Sequence, residues 1–196
     1  MNAIDEKRSL KAQIYSLKSG TATECNIIPM QILSSVQTGR RYLLGYAVDY
    51  ERFNAFRLDT IKKAAMGDVF SEFDKVYSDY QRNKGKSFGV SFNGYDGNRN
   101  VEPLEIVFHV DEEAEDFIIA RLEREKRCGT LVRTAENTYT LTLDLYDPNE
   151  AMQWVKSFIG RIKEIRGCTE SLRETFENDI KRMNEMYGGE SIEHIQ

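Results

Sequence analysis

Gly39-Arg40-Arg41-Tyr42-Leu43-Leu44-Gly45-Tyr46, followed by Phe56-Arg57-Leu58-Asp59, concentrates cationic and aromatic side chains more than any other stretch of the chain. Two arginines and a tyrosine open one predicted strand, and a third arginine stands in the next strand across a short turn. Alternation puts Tyr42, Leu44 and Tyr46 on one face of the first strand, and Arg41, Leu43 and Gly45 on the other. In the second strand Arg57 and Asp59 share a face, opposite the apolar pair Phe56 and Leu58. The apolar side must be core, so Arg57 points outward or into a groove. A tyrosine ring beside a planar guanidinium offers a stacking surface and a two-pronged anion fork. Single-stranded nucleic acids and nucleotides ask for these two parts. Arg40 and Arg41 would add phosphate contacts, and Lys62 and Lys63 would extend the basic track. A plainer reading stands beside this one: Arg57 and Asp59 neutralise each other, and Tyr42 and Tyr46 are cross-strand packing.

The charge distribution favours the ligand reading. The whole chain of 196 residues carries −5, but residues 1–95 hold 14 Lys and Arg against 10 Asp and Glu. The remaining residues hold 13 against 22, so a mildly basic half precedes an acidic one. An anionic partner would meet the first half. The length suits one large domain or two small ones, read here as 1–95 and 96–196. No apolar run reaches the length of a membrane span, and Met1–Lys11 is too charged for a secretory signal. Cys25, Cys128 and Cys168 are far apart, odd in number and without metal-like spacing, which points to a reducing cytoplasm.

The elements that must position these residues are short strands. Met1–Arg8 reads as a helical lead-in. Ser9–Leu17, Glu24–Ser34, Arg40–Val48 and Phe53–Leu58 read as strands, with Ile61-Lys62-Lys63 as a short fifth. Pro29 makes the second an edge strand or breaks it at that point. Turns fall at Lys18–Thr21 and at Gln37-Thr38-Gly39. Close, regular spacing of such strands predicts a small antiparallel barrel. Ser71 would cap a helix running to Lys84, and the Gly- and Asn-rich segment Gly94–Asn100 would mark the boundary between units. The second half alternates strand and helix. Strands are predicted at Leu104–Val110, Gly129–Ala135, Tyr139–Tyr146 and Arg161–Arg166. Helices are predicted from Asp111 to Lys126, from Pro148 to Phe158 and from Thr169 to Tyr187, the last stopped by Gly188-Gly189. The first six of these elements follow the ferredoxin-like order.

The segments Ile28-Pro29-Met30-Gln31-Ile32, Gly39–Tyr46 and Phe56-Arg57-Leu58-Asp59-Thr60-Ile61 resemble, in order and spacing, the WYL domain family. Trp154–Gly160, Ser171-Leu172-Arg173 and a helix ending at Tyr187 look like the extension that commonly follows such domains. The resemblance implies an α+β chain, an Sm/SH3-like antiparallel β-barrel followed by a ferredoxin-like sandwich. It implies a sensory module of a transcriptional regulator, without catalytic activity or cofactor, working in the cytoplasm and as a homodimer. Its ligand would be single-stranded nucleic acid or a nucleotide-like effector, held by Arg40, Arg41, Tyr42, Arg57, Tyr46 and Lys62. Arg41 stands where the family has tryptophan, and Thr60 where it has a second arginine. Arg41 would either strengthen an anion site or be a solvated strand residue. No helix-turn-helix precedes Ser9, so the usual N-terminal DNA-binding domain is not expected within this sequence. The alternative is a protein-interaction or dimerisation module, or an accessory protein of an anti-phage (CRISPR-associated) system.

Other candidates read as structure. His109 lies in an alternating strand with no nucleophile motif near it. Asp111-Glu112-Glu113 and Glu115-Asp116 suit a helix N-terminus, Trp154 and Phe158 a helix core, and Met183, Met186 and Tyr187 packing or a dimer contact. No glycine-rich phosphate loop and no paired-histidine metal pattern occurs.

Overall fold

In the computed structural model residues 2–35, 39–92 and 100–188 are described. The predicted boundary segment Gly94–Asn100 falls almost wholly outside them, as do Gln37, Thr38 and Gly189. The chain is α+β and divides into two compact units. One comprises 1–101 with 144–151, the other 102–143 with 152–196.

The first unit opens with a single helical turn, α1 (Asn2–Asp5), and five strands: β1 (Arg8–Tyr15), β2 (Ala22–Ser34), β3 (Arg41–Ala47), β4 (Arg52–Arg57) and β5 (Ile61–Val69). They form one antiparallel sheet in the order β4-β3-β2-β1-β5. Strand number and direction follow the predicted barrel, but the sheet stays open. Among the described residues no pairing joins β4 to β5. The fifth strand is three times its predicted length, because β5 pairs with β1 from Val69 back to Ile61. Exposed small and charged residues there, Lys62 to Ala65, hide it from any test of periodicity.

Pro29 lies in a central strand, not an edge. The ladder carries a register shift just after it, between Pro29 and Gln31, which leaves Met30 without a cross-strand partner beside the residue that cannot donate. Both sheet faces are apolar. On one, Ile28, Met30, Leu44 and Phe53 meet Phe73, Val76 and Tyr80 of α2 (Phe73–Asn83), together with Phe92 and Tyr146. On the other, Ala12, Cys25, Ile27, Leu43 and Ala47 cluster with Leu10, Ile14, Phe56, Leu58 and Ile61. Leu44 and Ile28 are fully buried, and burying such a side chain contributes about 1.5–3 kcal/mol. Ser71 lies outside α2, whose N-cap position is Glu72, without a side-chain capping bond.

The second unit holds a four-stranded sheet in the order β7-β8-β6-β9, from β6 (Glu102–His109), β7 (Thr130–Ala135), β8 (Thr138–Leu145) and β9 (Ile162–Arg166). Its helices are α3 (Asp116–Glu125), most of α4 (Asn149–Lys156) and α5 (Glu170–Tyr187). The helix predicted from Asp111 starts five residues later. The Asp111 carboxylate does accept two backbone N–H groups, from Glu113 at 3.0 Å and Ala114 at 3.1 Å, but it closes a turn ahead of the helix. Phe108 and Phe158 meet edge to face at 5.7 Å in this core. Trp154 is half-buried there and donates its indole N–H to Glu125 Oε2 at 3.0 Å. His109 is exposed at the end of β6.

Candidate ligand site on the first sheet

Tyr42 of β3 stands directly opposite Arg57 of β4. Side chains so paired lie on one face with Cβ atoms about 4.5–5.5 Å apart. Arg57 Nε donates to Asp59 Oδ1 at 3.0 Å and Arg57 Nη2 donates to Asp59 Oδ2 at 2.5 Å. A 3-10 turn, Leu58–Thr60, folds the chain back so that Asp59 meets the fork. The Thr60 hydroxyl holds that turn by donating to the Arg57 carbonyl at 2.8 Å, and Thr60 is buried. The residue that replaces an arginine of the resemblance therefore has a local structural task.

The hydrogen bonds it donates to Asp59 raise the pKa of the Arg57 guanidinium above its ordinary value, with the Asp59 charge and Tyr42 adding to the rise. The same hydrogen bond pulls the Asp59 carboxyl below the usual carboxylate range, and the charges of Arg57 and Arg40 pull it further. One carboxylate thus feels two cations, Arg57 by contact and Arg40 at longer range. It remains open to solvent: the Arg57 side chain is 27% exposed and that of Asp59 59%.

The six residues singled out in the sequence do not converge on one spot. Arg40, Tyr42 and Arg57 come together around Asp59. Arg41 alternates onto the opposite face, the side of Leu43, and is exposed, its guanidinium without a hydrogen bond or ion pair among the described residues. Tyr46 stands opposite Phe53 and meets its ring edge to face at 5.3 Å, packed against the core under α2. Lys62 lies on β5, its ammonium 5.5 Å from the ring centre of Tyr15. Lys63 lines a polar hollow of about 560 Å³ with Lys11, Gln13, Glu24, Asn26 and Asp49.

Two features escaped the sequence. The pairing of Tyr15 with Lys62 joins residues far apart in the chain through the β1–β5 ladder, and no local pattern announces it. The carboxylate of Glu150 accepts backbone N–H groups of Gly89, Val90 and Ser91 at 2.9–3.1 Å. A glutamate in the first turn of a helix looks like any other acid favoured there by the macrodipole. Among the described residues no group of three His, Cys, Asp or Glu side chains is arranged to hold a metal ion. No helix of the described residues is long and apolar enough to cross a membrane.

Comparison with known proteins places residues 1–66 under the family model described as the WYL domain. No curated protein matches the chain. Among solved structures, proteasome accessory factor B/C (PafBC) of Arthrobacter aurescens is 18% identical, aligned over 95% of this chain and 26% of its own, with a TM-score of 0.42. A CRISPR Cas-related protein is 14% identical over 95% of this chain and 50% of its own, with a TM-score of 0.54. The chain therefore spans half or less of the length of these proteins. The likeness to the second is one of fold.

Proposed function

We propose that this chain, which carries a WYL domain over residues 1–66, is a non-catalytic sensing module of a WYL-type regulator that binds a nucleic-acid or nucleotide-like anion. One observation carries the reading: Tyr42 stands opposite Arg57, both partly exposed, and the Asp59 carboxylate that Arg57 holds also feels the charge of Arg40. A base can stack on the ring while a phosphate takes the free edge of the Arg57 fork. Asp59 already occupies Nε and Nη2 of that fork. It holds the guanidinium plane in one orientation, and a phosphate must share the fork with Asp59 or displace it. Arg40, Tyr42 and Arg57 form the centre of the site in this reading. Arg41, Tyr46 and Lys62 lie outside it.

On this reading the open sheet of the first unit is an Sm-like half-barrel and the second unit a ferredoxin-like extension. Their strand orders, β4-β3-β2-β1-β5 and β7-β8-β6-β9, support both descriptions. The module acts in the cytoplasm as a homodimer. Exposed Met183, Met186 and Tyr187 on the last turns of α5 support a contact between copies. The CRISPR Cas-related neighbour favours one second reading, an accessory role in such a system through protein contacts.

Fluorescence anisotropy with a labelled oligothymidylate tests the site. Two phosphate contacts, from Arg40 and Arg57, give a slope of log affinity on log salt of about −1.4 for a single strand, and Arg57→Ala reduces it to about −0.7. Tyr42→Ala weakens binding at every salt concentration without changing the slope. Equal affinity and slope for the native protein and Arg57→Ala would refute the assignment.

A further inference from the structure

The inner face of the open sheet is not filled at one end. Leu10, Ile32, Leu43, Leu58, Ile61 and Met66 surround a cavity of about 570 Å³ there, with the one-turn helix α1 forming part of its rim. Its wall carries no charged side chain, and Asn2 is its one polar side chain among the described residues. Volumes of this size are those of small-molecule sites. Closed barrels fill such a space with their own side chains or hold one small ligand in it. Here Ile32 and Met66, 44% and 46% exposed, leave apolar surface at its mouth.

Arg41 stands one same-face strand position beyond the wall residue Leu43, about 6.6 Å along the strand. Its neighbour across the ladder is Ser34, just as Ile32 is the neighbour of Leu43. Among the described residues no carboxylate holds its guanidinium, in contrast to Arg57. An apolar cavity with one uncommitted cation a strand position beyond its wall complements one kind of molecule, an alkyl chain ending in an anion.

We infer that the half-open inner face of the first sheet is a binding site for a medium-chain acyl carboxylate, its chain in the Leu43–Met66 cavity and its carboxylate on Arg41. The site lies on the opposite sheet face from Tyr42 and Arg57, and does not rest on the oligonucleotide reading. Arg41 then has a task of its own, a cation where the family resemblance has a large aromatic residue.

Titration of the full chain with decanoate and with 1-decanol, followed by methyl NMR of isoleucine and methionine, tests this. Decanoate should shift the methyl signals of Ile32, Ile61 and Met66 and leave those of Ile106 and Ile118, in the second unit, unmoved. Octanoate should bind about fifteenfold more weakly than decanoate, from roughly fourfold per methylene. Arg41→Gln, at an exposed position, should weaken decanoate about tenfold and leave decanol unchanged. Ala64→Phe, at an exposed position in the cavity wall, should abolish binding of both while the Ile106 and Ile118 signals keep their native positions. Arg57→Ala should leave decanoate binding intact, which separates this site from the oligonucleotide site. Shifts spread over both units, equal affinity of decanoate for native protein and Arg41→Gln, or unaltered binding by Ala64→Phe would each overturn the inference.

Discussion

Replacing Glu150 by alanine removes the acceptor that three consecutive backbone N–H groups share. Gly89 donates to it at 3.0 Å, Val90 at 2.9 Å and Ser91 at 3.0 and 3.1 Å. The segment so held also inserts Phe88 and Phe92, 1% and 5% exposed, and Phe92 meets Tyr80 and Tyr146 at 5.5 and 6.0 Å. In the variant the partly buried N–H groups of Val90 and Ser91 lose their partner, at about 1–3 kcal/mol each. Removing the carboxylate also relieves its own desolvation, which offsets part of that. The expected net loss is about 2 kcal/mol. Urea unfolding measures it, and hydrogen exchange at the amides of Val90 and Ser91 localises it. For a 2 kcal/mol loss exchange should accelerate roughly 30-fold. A loss below about 0.5 kcal/mol with unchanged exchange, a quarter of the smaller orphaned-donor estimate for two groups, would refute the reasoning. The pH dependence gives an independent check. Burial pushes the Glu150 carboxyl above its ordinary value, although the three N–H groups pull the other way and Asp147 adds to the rise. The native state then holds this proton more tightly than the unfolded chain. That contribution is full below about pH 4.3 and is lost as pH rises through the raised native value. Measured against Glu150→Gln, which cannot titrate, native stability should fall across that window and be level above it.

Two further outcomes follow from the first sheet. Gly45→Ala should destabilise by about 1–3 kcal/mol in thermal or urea unfolding, because overpacking forces shifts in a filled core. A Cβ at Gly45 would stand 2.5 Å from Ile27 Cγ2 and 2.9 Å from the Ile28 carbonyl oxygen. Leu44→Ala, at a fully buried position under α2, should cost about 2–5 kcal/mol in the same measurement. A smaller loss would mean that the cluster around Phe53 and Tyr80 collapses into the space.

Much of this architecture is legible in local sequence. The strands around Tyr42 and Arg57, the helix from Phe73 and the last helix to Tyr187 each announce themselves by a period of 2 or 3.6. The period reports which face is buried, and burial is what selects those residue types. The same alternation assigns Arg41 and Tyr42 to opposite faces, and the β3–β4 register then sets Tyr42 against Arg57. Periodicity is silent where a strand is held by its ladder and not by a buried face. Most of β5 carries no sequence signal for that reason. The Asp111 turn shows another limit, since a side chain that accepts two N–H groups can cap a helix or close a turn with the same residues.

What the sequence determined by itself was the inventory: an α+β chain, a basic half ahead of an acidic one, and arginines beside tyrosines on adjacent strands. Whether those residues meet depended on contacts between distant segments. The tertiary structure gathered Arg40, Tyr42 and Arg57 around Asp59, sent Tyr46 under α2 and Lys62 to Tyr15. It also left the sheet open, with Arg41 beside an unfilled apolar end. Closure of a sheet is a property of its two edges, β4 and β5, and neither edge carries a local signal that says whether the other will reach it.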